Sequence, residues 1–261
     1  YGYEVIGFKN GFKGLVLSNF IKFKPDDVSG ILDKGGTILG TSVGVDPFNF
    51  VLEKDGQLEY RDMSDRAIEN VKMFGIDCLV VIGGCETLKS AWDLAQKGLK
   101  VVGVPKTIDN ELSVTDMSVG FMTAVETATD AIDKLHSTAE SHHRVMILEV
   151  MGKEAGWIAI EAGIAGGADV ILIPEIPYDI NRVAQKIMER KNVGKHFSII
   201  VVAEGAKPKD DRATSDTAED ENSGLHCVSG IGNKLAVELE RITGIDTKVT
   251  VLGYLQRGGR P

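Results

Sequence analysis

Runs of apolar residues alternate along this chain with stretches whose apolar positions recur every three or four residues. The runs at Glu4–Gly7, Thr37–Thr41, Asp77–Ile82, Val101–Val104, Val145–Val150, Val170–Ile173, Ile199–Ala203 and Lys248–Leu252 predict strands. Several, such as Cys78-Leu79-Val80-Val81-Ile82, lack alternating polar positions, which predicts parallel strands covered on both faces. Helical periodicity is clearest from about Asp116 to Ala139, where Phe121, Val125, Ala128, Ile132 and Leu135 form one stripe. Ser64–Phe74, Ile180–Lys191 and Gly156–Ala162 predict further helices. The β-α-β-α order predicts an α/β fold with doubly wound, parallel-type sheets and helices on both faces, in one domain or split over two lobes. The polar, acidic stretch Lys207–Ser223 reads as a mobile surface insertion.

Ligands of such folds sit beyond the carboxyl ends of the strands, so the loops there are the candidates for chemistry. In Gly83-Gly84-Cys85-Glu86-Thr87, paired glycines and a following helix suit a phosphate, although a plain strand-to-helix turn capped by Thr87 fits equally. Pro105-Lys106-Thr107-Ile108-Asp109-Asn110-Glu111 places a cation, a hydroxyl and a carboxylate at one strand end, with apolar Ile108 tying the loop down. Such a Lys neutralises a moving phosphoryl group, and such an Asp takes a proton from an attacking hydroxyl. Glu149-Val150-Met151-Gly152-Lys153, Glu204-Gly205 and Gly253-Tyr254-Leu255-Gln256-Arg257 end three more strands. Ser141-His142-His143-Arg144 adds a basic cluster, which a bland reading makes a solvated strand start.

Composition narrows the ligand classes. The 29 Lys and Arg against 38 Asp and Glu leave a net charge of −9, which argues against a general nucleic-acid or anionic-membrane binder. Anionic ligands must be held by local cations. No apolar run reaches the roughly 18–20 residues of a membrane span, and no signal peptide is evident. Cys78, Cys85 and Cys227 are too scattered for a disulfide framework or a zinc cluster, which points to a cytoplasmic setting. The chain starts at Tyr1 and stops at Arg260-Pro261, and it reads as a segment of a longer protein.

In order, the sequences PKTIDNE, EVMGK-EAGW and VLGYLQRGG resemble the phosphofructokinase family, which contains ATP- and pyrophosphate-dependent 6-phosphofructokinases. The resemblance runs from Tyr3 to Pro261. It implies that residues 1–115 form a donor-phosphate lobe and residues 116–261 a sugar-phosphate lobe, each lacking one end. It implies that Asp109 is the catalytic base toward the 1-hydroxyl of fructose 6-phosphate, with Thr107 and Lys106 at the transferring phosphoryl group. Ile108, Met151, Gly152, Lys153, Glu204, Tyr254 and Arg257 match sugar-phosphate contacts. Arg144 and Lys248 match positions that reach the sugar phosphate from a neighbouring subunit, so a homodimer or homotetramer is implied.

Gly83, Gly84, Glu86, Thr87 and Lys106 match donor-phosphate positions. Glu86 and Lys106 replace glycines of the ATP-using pattern, so the expected donor is pyrophosphate with Mg2+. The alternatives are an ATP-dependent enzyme or a catalytically impaired, sugar-phosphate-binding regulatory homologue. Cys85 stands where the family carries an acid near the metal, and Mg2+ prefers hard oxygen ligands. Val43 stands near a usual Arg. Lys153 and Lys248 keep charge but lose the fork of Arg.

Overall fold

The computed structural model describes residues 2–54, 56–209 and 230–261. Residues 210–223 of the acidic stretch, and Cys227, therefore lie outside the described residues. The chain divides into two compact units, Tyr1–Lys106 with Gly258–Pro261, and Thr107–Arg257.

The first unit contains β1 (Ile6–Phe8), α1 (Phe12–Leu17), β2 (Phe20–Lys22), β3 (Phe50–Lys54), β4 (Gln57–Arg61), α2 (Ser64–Met73), β5 (Leu79–Gly83), α3 (Cys85–Gln96) and most of β6 (Val101–Thr107). β5 and β6 are parallel, with Val80 opposite Val102. β1–β2, connected through α1, and β3–β4, adjacent in sequence, pair antiparallel, which departs from the largely parallel sheet expected. A turn signal, Asp55-Gly56, stood in the sequence between the last two strands. Thr37–Thr41 is also not a strand: Gly36 and Gly40, at φ 78° and 72°, turn the chain there. The core gathers Leu15 and Val16 from α1, Ala67 and Val71 from α2, Leu94 from α3, and Val81 from β5.

The apolar run of β5 is buried on one face only. Val81 points inward, whereas Val80 and Ile82 are 58% and 62% exposed. A pleated strand sends successive side chains to opposite faces, and the helices of this core cover just one of them.

The second unit is doubly wound. It runs β7 (Val119–Gly120), α4 (Phe121–His142), β8 (Val145–Val150), α5 (Trp157–Ala165), β9 (Val170–Leu172), α6 (Ile180–Asn192), β10 (Ser198–Ala203), α7 (Ile231–Thr243) and β11 (Thr247–Val251), then a 3-10 turn at Gly253–Arg257. β8 to β11 form one parallel sheet in the order β11-β8-β10-β9. Met146, Leu148, Val150, Ile199, Val201 and Ala203 face a layer that includes Ile132 of α4 and Ile158 of α5. Val145, Ile147, Ile200 and Val202 face Ile187 of α6 and Leu235 and Leu239 of α7. This two-sided burial explains the unbroken apolar runs of β8 and β10. α4 starts at Phe121 rather than Asp116, because Gly120 at φ 103° precedes its first turn.

The middle of β8 carries the packing of this unit. Leu148 is fully buried, so Leu148→Ala is expected to lower the unfolding free energy by about 2–5 kcal/mol, read by denaturant titration.

Candidate active site

Parallel pairing fixes which loops can meet in the second unit. β8 pairs with β10 on one side and β11 on the other, so their carboxyl ends lie side by side. Those ends carry Met151-Gly152-Lys153, Glu204-Gly205 and Tyr254–Arg257. The backbone ties them closely: the N–H of Glu204 donates to the carbonyl of Val150 (2.8 Å), and that of Gly205 to the carbonyl of Gly152 (3.0 Å). The Leu252 N–H donates to the carbonyl of Glu149 (3.1 Å). Gly152 adopts φ 134°, a conformation that disfavours a side chain.

Two buried polar side chains at these strand ends escaped sequence reasoning. Gln256 is 1% exposed; its amide donates to the carbonyl of Gly253 (3.2 Å) and its Oε1 accepts from the N–H of Met151 (3.3 Å). It thereby joins the β11 turn to the loop after β8. Glu149 accepts from the N–H of Gly232 in the first turn of α7 (2.8 Å). Their only signal in the sequence was membership of the motifs VLGYLQRGG and EVMGK.

Asp109 lies in the loop after β6 and belongs to the same unit. Its N–H donates to Thr107 Oγ1 (3.3 Å), and Ile108 packs against the α4–α5 core. The carboxyl is half-buried, and Oδ1 has no hydrogen-bond partner among the described residues. Burial pushes the Asp109 pKa above the usual aspartate value, and the nearby Glu204 charge pushes it further. Arg257 and Lys153 act in the opposite direction. One carboxylate thus feels a Glu and two cations that come from three strand ends. Lys153 and Arg257 are exposed, and Arg257 lies over the Tyr254 ring at 5.5 Å. The arrangement suits a proton acceptor beside a place for a sugar phosphate.

Arg144 and Lys248 do not join this cluster within the chain. Both sit at the amino edge of the sheet, Arg144 just before β8 and Lys248 second in β11. At about 3.3 Å per residue, β8 separates its two ends by roughly 17 Å. There both cations pair with Asp246, each at 2.5 Å. The hydrogen bond from Lys248, with Arg144 alongside, holds the Asp246 carboxyl below the usual aspartate range.

The donor candidates belong to the first unit. Gly83 closes β5, Gly84 is the N-cap of α3, and Cys85, Glu86 and Thr87 form its first turn. The helix therefore starts two residues before Thr87, and no side chain caps it. A Cβ on Gly83 would lie 2.5 Å from the Thr87 side chain, so only glycine lets that side chain close over the strand end. Lys106 is exposed, and Val43 is 91% exposed.

These side chains do not build a cage for a hard cation. Among the described residues, no three His, Cys, Asp or Glu side chains gather as ligands. Cys85 offers an exposed, soft sulfur where Mg2+ takes near-octahedral oxygen.

Comparison with known proteins identifies the family of the chain. A model of the phosphofructokinase family matches residues 1–261. The chain is 55% identical to the ATP-dependent 6-phosphofructokinase 2 of Clostridium perfringens, over 99% of this chain and 71% of that protein. It is 47% identical to the ATP-dependent 6-phosphofructokinase of Spirochaeta thermophila, over 100% of this chain and 71% of the relative. Among solved structures, the phosphofructokinase of Saccharomyces cerevisiae superposes with a TM-score of 0.77 at 30% identity, over 98% of this chain and 34% of that one. A pyrophosphate-dependent phosphofructokinase from Marinobacter aquaeolei shares the fold, with a TM-score of 0.76 at 24% identity over 97% of this chain and 60% of that chain. With a family model matched along its entire length, this chain belongs to the phosphofructokinases, a family of phosphotransferases.

Proposed function

We propose that this chain transfers the terminal phosphoryl group of ATP to the 1-hydroxyl of fructose 6-phosphate, as a glycolytic enzyme of the cytoplasm. The observation that carries the acceptor half is Asp109, whose half-buried carboxyl has an unpartnered Oδ1 and feels cations from two strand ends. The carboxylate takes the proton of the sugar hydroxyl as its oxygen attacks the terminal phosphorus. The bond to the bridging oxygen breaks, and ADP leaves. Thr107 and Lys106 hold the transferring group, Lys106 as a cation that offsets its charge. Gly83, Gly84, Glu86 and Thr87 bound the donor phosphates. Met151, Gly152, Lys153, Ile108, Glu204, Tyr254 and Arg257 hold the sugar phosphate. Mg2+ would enter with the donor phosphates, since no three His, Cys, Asp or Glu side chains gather as ligands among the described residues.

ATP replaces the expected pyrophosphate because relatives 47–55% identical are named ATP-dependent. The pyrophosphate-dependent neighbour, at 24% identity, speaks to the fold alone. Pyrophosphate stays as the second reading on one observation. Glu86 lies exposed in the first turn of α3, where its charge opposes a nucleotide phosphate at the helix end. A coupled assay on the full-length protein with each donor separates the two. Turnover with ATP and little with pyrophosphate is expected, and the reverse overturns the donor assignment. Calorimetric binding of fructose 6-phosphate without turnover on either donor would instead mark a regulatory homologue.

Arg144 and Lys248, on the far edge of their own sheet, serve the sugar phosphate of a neighbouring subunit in a homodimer or homotetramer. Arg144→Ala is expected to raise the KM for fructose 6-phosphate by about 10-fold, the loss of one charged hydrogen bond. An unchanged KM in a confirmed oligomer would remove this role.

A further inference from the structure

The loop that carries Asp109 is closed on itself by two side chains, one of them within the motif PKTIDNE and one outside every motif. Ser118 is 4% exposed, and its hydroxyl donates to the carbonyl of Thr107 (2.7 Å). Its N–H donates to Asn110 Oδ1 (2.8 Å), and the Asn110 amide donates to the carbonyl of Asp116 (3.3 Å). Asn110 sits at φ 52°, a left-handed conformation that Asn tolerates better than most residues. Ile108, between them, packs into the core. A Cβ at Gly120 would sit 3.5 Å from Ile108 Cγ2, so the return segment lies directly against the loop. The residues on both sides of Asp109 are therefore fixed, while its own Oδ1 is left without a partner among the described residues.

We propose that Ser118 and Asn110 are positioning residues, which hold the Thr107–Asn110 loop so that the Asp109 carboxylate meets the hydroxyl it deprotonates. The role rests on Asp109 being the base. A loop fixed at Thr107 and Asn110 leaves Asp109 little backbone freedom. Released from Ser118, the Thr107 carbonyl is free to rotate and Asp109 to move with it. A misplacement of about 1 Å costs as much as 100-fold in rate. The sugar phosphate, held by side chains from other strand ends, keeps its affinity.

The test is steady-state kinetics on the full-length protein, with fructose 6-phosphate binding by calorimetry and thermal melts as controls. Ser118→Ala is expected to lower kcat by about 10- to 100-fold while KM and Kd for fructose 6-phosphate stay within about 2-fold. Ser118→Thr, which keeps the hydroxyl, is expected to return most of the rate. Asn110→Gly allows the same backbone turn but removes the amide, and a similar loss of kcat is expected; it carries the test if Ser118→Ala fails to fold. A wild-type kcat in both Ser118→Ala and Asn110→Gly overturns the proposal. So does a loss of kcat matched by an equal loss of sugar-phosphate affinity. Asp109→Asn separates the two readings. Full activity in that variant removes Asp109 as base, whereas an inactive Asp109→Asn beside a normal Ser118→Ala and a normal Asn110→Gly removes only the positioning role.

Discussion

Asp109→Asn is expected to lower kcat by about 10²–10⁴-fold, the range a general base supplies, with fructose 6-phosphate affinity close to wild type. Asn fills the same space and keeps the loop, but it cannot accept the proton. The same replacement carries a stability signature. Burial and Glu204 raise the Asp109 pKa above its unfolded value of 3.8, so the native state holds this proton more tightly than the unfolded chain does. The stability it contributes is present at low pH and is lost as pH rises through the folded pKa. At neutral pH the ionised carboxylate opposes folding, and a neutral amide relieves that cost. Asp109→Asn is therefore expected to melt higher than wild type at pH 7 while being nearly inactive. A melting temperature well below wild type would show that the carboxylate is structural. Kinetics and pH must agree too: the acid limb of kcat/KM is expected to be displaced upward from the ordinary aspartate value. Glu204→Gln removes the second cause of the raised pKa, and the limb then moves to lower pH.

How far the sequence could be read varied along the chain, for physical reasons. Val145–Val150 and Ile199–Ala203 were legible because both faces of a central parallel strand are buried, which leaves an unbroken apolar run. Val80 and Ile82 belong to a run of the same kind, yet they are exposed. Periodicity reports apolar character, and it does not report what covers it. The β3–β4 pair of the first unit was missed because β4 is short and exposed throughout, with charged residues breaking the apolar pattern. The loops at the strand ends were found from their polar residues. The clamp by Ser118 was not, because it consists of bonds to the Asn110 side chain and the Thr107 carbonyl, eight and eleven residues away. Arg144 shows a further limit. Its charge was visible, but only the strand order and direction reveal that it sits at the edge of the sheet opposite Lys153.

The tightest backbone approach in the candidate site yields the second large effect, from Gly205→Ala. Gly205 follows β10, and its N–H donates to the Gly152 carbonyl in the loop after β8. A Cβ there would lie 1.9 Å from the Lys153 carbonyl oxygen and 2.6 Å from its carbon. Both are backbone atoms with no rotamer to move aside, so the added methyl must push the two loops apart. Gly205 itself is outside the left-handed region, so the obstacle is contact rather than conformation. Lys153 and Glu204 then shift away from each other and from Asp109, and the contacts to the sugar phosphate loosen together. Losing about two charged hydrogen bonds, worth roughly 1.5–3 kcal/mol each, predicts a rise of 100-fold or more in the Kd for fructose 6-phosphate. Gly194→Ala is the control. Its φ of 87° strains any side chain, but a Cβ there meets no atom within 4 Å. That variant is expected to lose about 1–2 kcal/mol of stability and no sugar-phosphate affinity. If both variants bind fructose 6-phosphate like wild type while remaining folded, the loops after β8 and β10 are not the sugar-phosphate site. If Gly205→Ala alone loses affinity, with circular dichroism unchanged, close backbone approach of these two strand ends is what shapes it.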